Sequence, residues 1–275
     1  MKSLSADYPV WLCDIWGVVH NGLKGYEAAA HALSQHRNQG GIVILVTNAP
    51  RTSQDVVRHL NHLKIPPQSY DRVVTSGDVT QTLVREHAKG KAYYLGPARD
   101  LSLFEGQMVK EVPLGKAHAV LCTGLVNDDV ETPDDYGDLL SRMKELKLPI
   151  ICANPDKIVR KGDRLMYCAG SLAEKYSNMG GTVLMAGKPY EPIYNLALQI
   201  AGTISGREIE KSKVLAIGDG PDTDIKGAAD FGISVVLIAD GVTDASDGLD
   251  ATLARVQAKV PHAKIVKILH HLMWE

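Results

Sequence analysis

Short apolar runs rich in Val and Ile alternate along the chain with stretches whose apolar residues recur at helical spacing. Runs of that kind, bounded by polar or turn residues, read as buried strands, and the alternation reads as βα units on a parallel sheet. The pattern predicts strands at Val10–Ile15, Gly41–Asn48, Arg72–Thr75, Val183–Lys188, Val214–Gly218 and Ser234–Ala239. It predicts helices over Tyr26–Asn38, Ser53–Leu63, Asp78–Ala88, Tyr190–Ala201, Thr223–Phe231 and His262–Met273. Between the two sets, from about Lys89 to Gly181, lies a segment with strands of its own at Ala92–Leu95, Ala119–Thr123 and Ile150–Ala153 and helices at Pro133–Leu146 and Ser171–Met179. This middle segment can supply a second small α/β core.

Composition narrows the class without choosing a function. At 275 residues, 45% hydrophobic and 23% charged, with mean hydropathy −0.08, the chain reads as soluble and globular. That length sits near the upper limit for one core, so one large domain or two smaller ones both fit. Thirty Lys+Arg against 32 Asp+Glu leave a net charge of −2 and a pI near 6.6, with no long run of either sign. Nothing in that balance draws the chain to nucleic acid or to an anionic membrane. The apolar runs, such as Ile42–Val46 and Val235–Ile238, fall far short of the ~20 residues a membrane span needs. Asp7 and Asp14 interrupt the region where a signal peptide would be apolar, so the expected location is cytoplasmic. The four cysteines, Cys13, Cys122, Cys152 and Cys168, show no C-x-x-C spacing and read as reduced, buried thiols.

The chemistry-bearing residues end apolar runs. In an open parallel sheet, ligands bind beyond the carboxyl ends of the strands, so these residues are read together. Asp14 closes W-L-C-D, Thr47-Asn48 closes V-I-L-V-T-N, Lys188 closes V-L-M-A-G-K, and Asp219 closes V-L-A-I-G-D. A carboxylate behind a buried run is costly to desolvate unless a cation or donor meets it, so Asp14 reads as a nucleophile or metal ligand, or more plainly as a turn cap. Thr47 and Asn48 could hold phosphate oxygens near the helix start that follows, although an N-cap at Thr52 or Ser53 explains part of that signal. Lys188 could neutralise charge between a carboxylate and a phosphoryl group, or snorkel to the surface. The stretch Gly218-Asp219-Gly220-Pro221-Asp222-Thr223-Asp224 is the most specific. Asp219 and Asp224 can face one site suited to a hard divalent cation, while Asp222 reads as a helix cap or solvent-facing group.

In this order, D-I-W-G-V, V-T-N, G-K-P and G-D-G-P-D-T-D-I resemble the four motifs of the haloacid dehalogenase superfamily of phosphotransferases. The T-D-I ending and the position of the middle segment between the second and third motifs are similar to class IIA, the nitrophenylphosphatase and sugar-phosphatase branch. A-N-P-D at 153–156 and A-G-S-L-A at 169–173 are similar to that branch too. The resemblance implies an α/β fold: a Rossmann-like core from residues 1–88 and 182–275, carrying a large α/β cap, residues 89–181. It implies Asp14 as nucleophile and Mg2+ ligand, Asp219 as the second carboxylate on the metal, Asp224 in support, and the Trp16 carbonyl as a further ligand. Thr47 and Asn48 would bind phosphate, Lys188 would stabilise its charge, and Asn154 and Asp156 would come from the cap toward substrate.

One position departs from that pattern. Phosphatases of the superfamily carry a second Asp two residues after the nucleophile, where this chain has Trp16. An indole N–H donates a hydrogen bond but is no acid or base near neutral pH. His20 could replace the missing proton shuttle or could be structural. The expected activity is Mg2+-dependent hydrolysis of a small phosphorylated metabolite such as a sugar phosphate, through an aspartyl-phosphate. The alternative is a weakly active or inactive protein that binds or senses a phosphometabolite. A homo-oligomer is compatible with the sequence, which assigns no interface.

Overall fold

The computed structural model describes residues 1–104, 108–161, 164–243 and 245–275, which form two compact units. The first unit comprises Met1–Thr47, Gln54–Val74 and Lys188–Glu275, and the second Asn48–Ser53 and Thr75–Gly187. In chain order the first contributions are α1 (Lys2–Asp7), β1 (Val10–Cys13), α2 (Glu27–Asn38), β2 (Ile42–Thr47), α3 (Ser53–His62) and β3 (Arg72–Thr75). Then come α4 (Ser76–His87), β4 (Lys91–Leu95), β5 (Lys110–Glu111), β6 (Ala119–Cys122), α5 (Gly137–Glu145) and β7 (Ile150–Cys152). These are followed by β8 (Ile158–Lys161), β9 (Arg164–Tyr167), α6 (Ala169–Asn178) and β10 (Val183–Met185). The chain ends with α7 (Glu191–Ser205), β11 (Val214–Gly218), α8 (Lys226–Phe231), β12 (Ser234–Ile238), α9 (Leu249–Lys259) and β13 (Ile265–Leu269).

The first unit is built on a six-stranded sheet of order β13-β12-β11-β1-β2-β3. β1 pairs in parallel with β2 on one side and β11 on the other, and β11, β12 and β13 continue in parallel. Every residue of β1, β11 and β12 is buried. That is why these strands read as unbroken apolar runs rather than as alternating ones. After β1 the chain builds outward through β2 and β3 and later returns on the opposite side of β1. The sheet order therefore reverses between β1 and β11, the place where an α/β sheet opens a crevice at its strand ends.

The second unit has a five-stranded parallel sheet of order β10-β7-β6-β4-β5 and a two-stranded antiparallel ribbon, β8-β9. Leu140, Met143, Leu172 and Tyr176 pack with one set of its strand residues, including Val120, Ile150 and Cys152. Val84, Ala88, Leu103 and Val109 pack with the other, including Ala92, Leu121 and Ile151. The four cysteines are buried and free.

The structure differs from the sequence expectation in places that have physical causes. Residues 262–273, expected to be a helix, contain β13, which pairs with the outer edge of β12. Its Ile-Val-Lys-Ile-Leu run has the β-branched content that suits a pleated, half-buried edge. Helices α1 and α9 had no sequence counterpart, nor did β5 or the β8-β9 ribbon. Helix α4 and strand β10 lie in the second unit, within its stretch Thr75–Gly187. Val84 and Ala88 of α4 are sealed by that unit's core, and β10 pairs with β7.

Candidate active site

Register decides which side chains meet. Cys13 of β1 is level with Ile217 of β11 and with Leu45 of β2. Asp14, Asp219 and Thr47 therefore emerge at the same end of three adjacent strands, and the Asp14 N–H is fixed by the Ile217 carbonyl at 2.8 Å. Pro221–Ile225 form a wide π-type turn whose start is held by Asp224 N–H and Ile225 N–H on the Gly220 carbonyl, at 2.9 and 3.0 Å. That turn returns Asp224 to the strand end, where its Oδ2 accepts the Gly220 N–H at 3.0 Å. Asp14, Asp219 and Asp224 each offer a carboxylate oxygen within 4.8 Å of the others, and all three are buried.

Backbone without side chains makes room for this cluster. A Cβ on Gly17 would sit 2.0 Å from Asp219 Oδ2, and one on Gly241 only 1.8 Å from the same atom. Gly17 also has φ +82, which favours glycine for a second reason. Asp219 Oδ2 accepts the Val242 N–H at 2.8 Å, and the Thr243 hydroxyl donates to the Asp219 carbonyl at 2.8 Å. Sequence reading missed Gly17 and Gly241–Thr243. The signal for the latter was available: they follow the fifth strand end, V-L-I-A-D, which ends beside the same crevice.

Lys188 lies among these carboxylates. Its Nζ contacts Asp14 Oδ1, donates to Asp224 Oδ1 at 2.7 Å and to the Val46 carbonyl at 3.1 Å, and the residue is only 4% exposed. Burial alone would pull this amine down, but Asp14 and Asp224 outweigh it and hold Lys188 well above the usual lysine range. Burial, then the charges of Asp224 and Asp219, push Asp14 well above the usual carboxylate range against the pull of Lys188. Burial and Asp224 likewise push Asp219 up to about 7. Three carboxylates facing one ammonium leave excess negative charge in a desolvated space, the condition under which a cation binds or protons are retained.

Trp16 and His20 belong to the loop after β1. His20 is buried, its Nδ1 accepts the Gly22 N–H at 2.9 Å, and its ring meets Trp16 edge-on at 5.4 Å and His59 edge-on at 5.5 Å. Burial, with His59 beside it, lowers His20 to about 4. The side chain is engaged in holding its loop. Trp16 is 46% exposed, unlike its buried neighbours Ile15, Val18 and Val19.

The remaining expected residues divide at the end of β2. Thr47 is buried in the first unit, at the strand end beside Asp14. Asn48 belongs to the second unit, where its Nδ2 donates to Asp156 Oδ1 at 3.0 Å. Asp156 is held in turn by its N–H on Asn154 Oδ1 at 3.1 Å. Gly187 permits this knot, because a Cβ there would lie 2.4 Å from Asn48 Oδ1 and 2.8 Å from Pro155 Cδ. The structure thus joins Asn48, Asn154 and Asp156 in one polar cluster, a link that no sequence spacing reveals.

Comparison with known proteins gives the family. A model of haloacid dehalogenase-like hydrolases matches residues 11–110, and a second HAD-hydrolase-like model matches residues 185–266. The chain is 26% identical over 251 residues to an acid sugar phosphatase of Staphylococcus saprophyticus, covering 86% of this chain and 88% of that one. The 4-nitrophenylphosphatase of Thermotoga maritima shares the fold, with TM-score 0.73 at 20% identity over 98% of this chain and 96% of that one. A crystal structure from Brucella suis, of a hydrolase of the haloacid dehalogenase-like family, is 43% identical with TM-score 0.88, over 99% of this chain and 98% of that one. With strand-end carboxylates, the lysine between them and these relatives in agreement, the chain belongs to the haloacid dehalogenase-like hydrolases.

Proposed function

We propose that this protein is a Mg2+-dependent phosphomonoester hydrolase of class IIA, acting on a small phosphorylated metabolite through an aspartyl-phosphate at Asp14. The observation that carries this reading is Lys188 contacting both Asp14 and Asp224 within a set of three carboxylates. Relatives named as an acid sugar phosphatase and a 4-nitrophenylphosphatase support the substrate class.

The site suits a hard divalent cation, since three buried carboxylates each offer an oxygen within 4.8 Å of the others. Asp14 and Asp219 would hold the ion, with Asp224 directly or through water and the Trp16 carbonyl completing the protein's share. Mg2+ bound there supplies charge neutralisation for a phosphoryl group. Lys188 opposes the burial that favours a protonated Asp14 and would hold charge on the phosphoryl oxygens, with the Thr47 hydroxyl and the Asn48 amide as further phosphate donors. Positioning and electrostatic stabilisation of this kind are most of what phosphoryl transfer asks of a protein. In the second unit, Asn154 and Asp156 are the groups we assign to substrate selection. Asp14→Asn is expected to abolish Mg2+-dependent phosphate release from p-nitrophenyl phosphate. Lys188→Ala is expected to lower kcat by about 10²-fold or more. Wild-type turnover by Asp14→Asn refutes the mechanism.

Trp16 favours a second reading, a phosphometabolite-binding protein without useful turnover, because an indole cannot give general acid–base help, typically worth ~10²–10⁴-fold. A Trp16→Asp variant decides between them. A large gain over an inert parent supports the binding protein, and an active parent supports the enzyme.

A further inference from the structure

β13 is the outer strand of its sheet, and among the described strands its one neighbour is β12. All five of its residues are half-buried. The two strands stay paired to their ends, where the Ala239 N–H donates to the Leu269 carbonyl at 2.8 Å and the Asp240 N–H to the His270 carbonyl at 3.2 Å. Successive side chains of an extended chain point to opposite faces. The chain bends at His270 and His271, however, and both imidazoles reach one carboxylate. His270 Nδ1 lies 2.9 Å from Asp240 Oδ1, and His271 Nε2 lies 3.4 Å from Asp240 Oδ2.

These spacings suit a shared cation. Nitrogen and oxygen donors held at 2.0–2.2 Å from one metal lie roughly 2.8–3.6 Å apart in an octahedral or tetrahedral shell. Both rings are more than half exposed, so they can turn towards a common point by side-chain rotation while the backbone stays in place. Asp240 has no lysine or arginine paired with it among the described residues, which leaves its charge for a cation. Asp230 is the contrast: it meets His262 at 2.8 Å, but Lys226 is already bonded to its other oxygen.

We propose that Asp240, His270 and His271 bind a divalent transition metal of the Zn2+ type, which staples the edge strand β13 to β12. Imidazole donors favour Zn2+, Ni2+ or Cu2+, whereas Mg2+ favours oxygen alone, so this site and the acidic cluster select different ions. The four thiols are buried and do not compete for the metal. A cation here also anchors the start of the loop whose next residues hold Asp219, through the Val242 N–H and the Thr243 hydroxyl.

The test titrates Zn2+ calorimetrically into the full chain held in excess Mg2+, which occupies the acidic cluster. The wild type is compared with His270→Gln, His271→Gln, the double histidine variant, Asp240→Asn and His262→Gln, each checked for native circular dichroism. The wild type is expected to bind one Zn2+ per chain. Affinity is expected to fall about 10-fold or more in each variant of the three ligands and to stay unchanged in His262→Gln. Paramagnetic resonance with Cu2+ as the probe is expected to show coupling to two nitrogens in the wild type and to one in each single histidine variant. Zn2+ at about 100 times its Kd is expected to raise the wild-type melting temperature by roughly 2–6 °C and to slow amide exchange in Ile265–Leu269, with neither effect in the double histidine variant. No Zn2+ site in the wild type, or wild-type affinity in the double histidine variant, overturns the proposal. Binding that leaves exchange in β13 unchanged overturns the stapling role.

Discussion

The buried charges at the strand ends are held against the preference of the fold. Asp219 is pushed up to about 7 by burial and Asp224, while an unfolded aspartate ionises near 3.9. Between those values the folded chain keeps a proton that the unfolded chain has released, so stability falls as pH rises through the window. Asp219→Asn removes that liability. Its metal-free melting temperature at pH 7.5 is expected to rise roughly 2–6 °C, and the Mg2+-induced thermal shift seen in the wild type is expected to vanish. His36 shows the opposite sign. It stacks on Trp11 with ring centroids 3.8 Å apart, bonds Ser5 Oγ through Nδ1 at 2.7 Å, and is lowered by burial to about 4. Its unfolded form takes up a proton near 6.5, so it makes stability fall as pH drops from about 6.5 to 4, by at most ~1.4 kcal/mol per pH unit. His20 contributes to the same window. His36→Leu should therefore flatten about half of the acid limb in urea titrations run from pH 7 to 4. An unaltered limb means His36 is protonated in the folded state.

At the scale of elements, the loops after β1 and β12 do as much for the site as the acidic residues. Gly17→Ala must place a methyl group on Asp219 and adopt a left-handed backbone. The expected result is a loss of about 1–3 kcal/mol in stability together with weaker Mg2+ binding by calorimetry. Wild-type binding in that variant would show that the Asp219 carboxylate is free to move. Much of this level was legible beforehand. Strands such as Val214–Gly218 are readable because burial on both faces leaves only apolar residues, and Asp14, Thr47, Lys188 and Asp219 stand out as polar ends of such runs. β13 was not legible, because Ile265, Ile268, Leu269 and Leu272 also fit a helical stripe. Only the open edge of β12 selects the strand. β10 joins β7, and a short V-L-M run carries no mark of which sheet it enters.

For the molecule as a whole, two sheets built from one interrupted chain explain both what the sequence revealed and what it hid. Residues 14, 219 and 224 meet because β1 and β11 are parallel neighbours, a consequence that parallel topology makes foreseeable. The bond from Asn48 to Asp156 depends on where the units divide, which no local pattern encodes. No described helix is long and apolar enough to cross a membrane. Because all four thiols are buried and free, a native sample should react slowly with a thiol reagent and a denatured one should release four equivalents. Rapid labelling of the native protein would contradict the packing of both sheets.

The shared ion site is tested most directly by calorimetric Mg2+ titration of the wild type, Asp14→Asn, Asp219→Asn and the double variant, each verified as folded. The account predicts one site per chain in the wild type, loss of that site in either single variant, and no further change in the double variant. Wild-type affinity in either single variant, or independent losses that add in the double, would show that Asp14 and Asp219 do not hold the same ion.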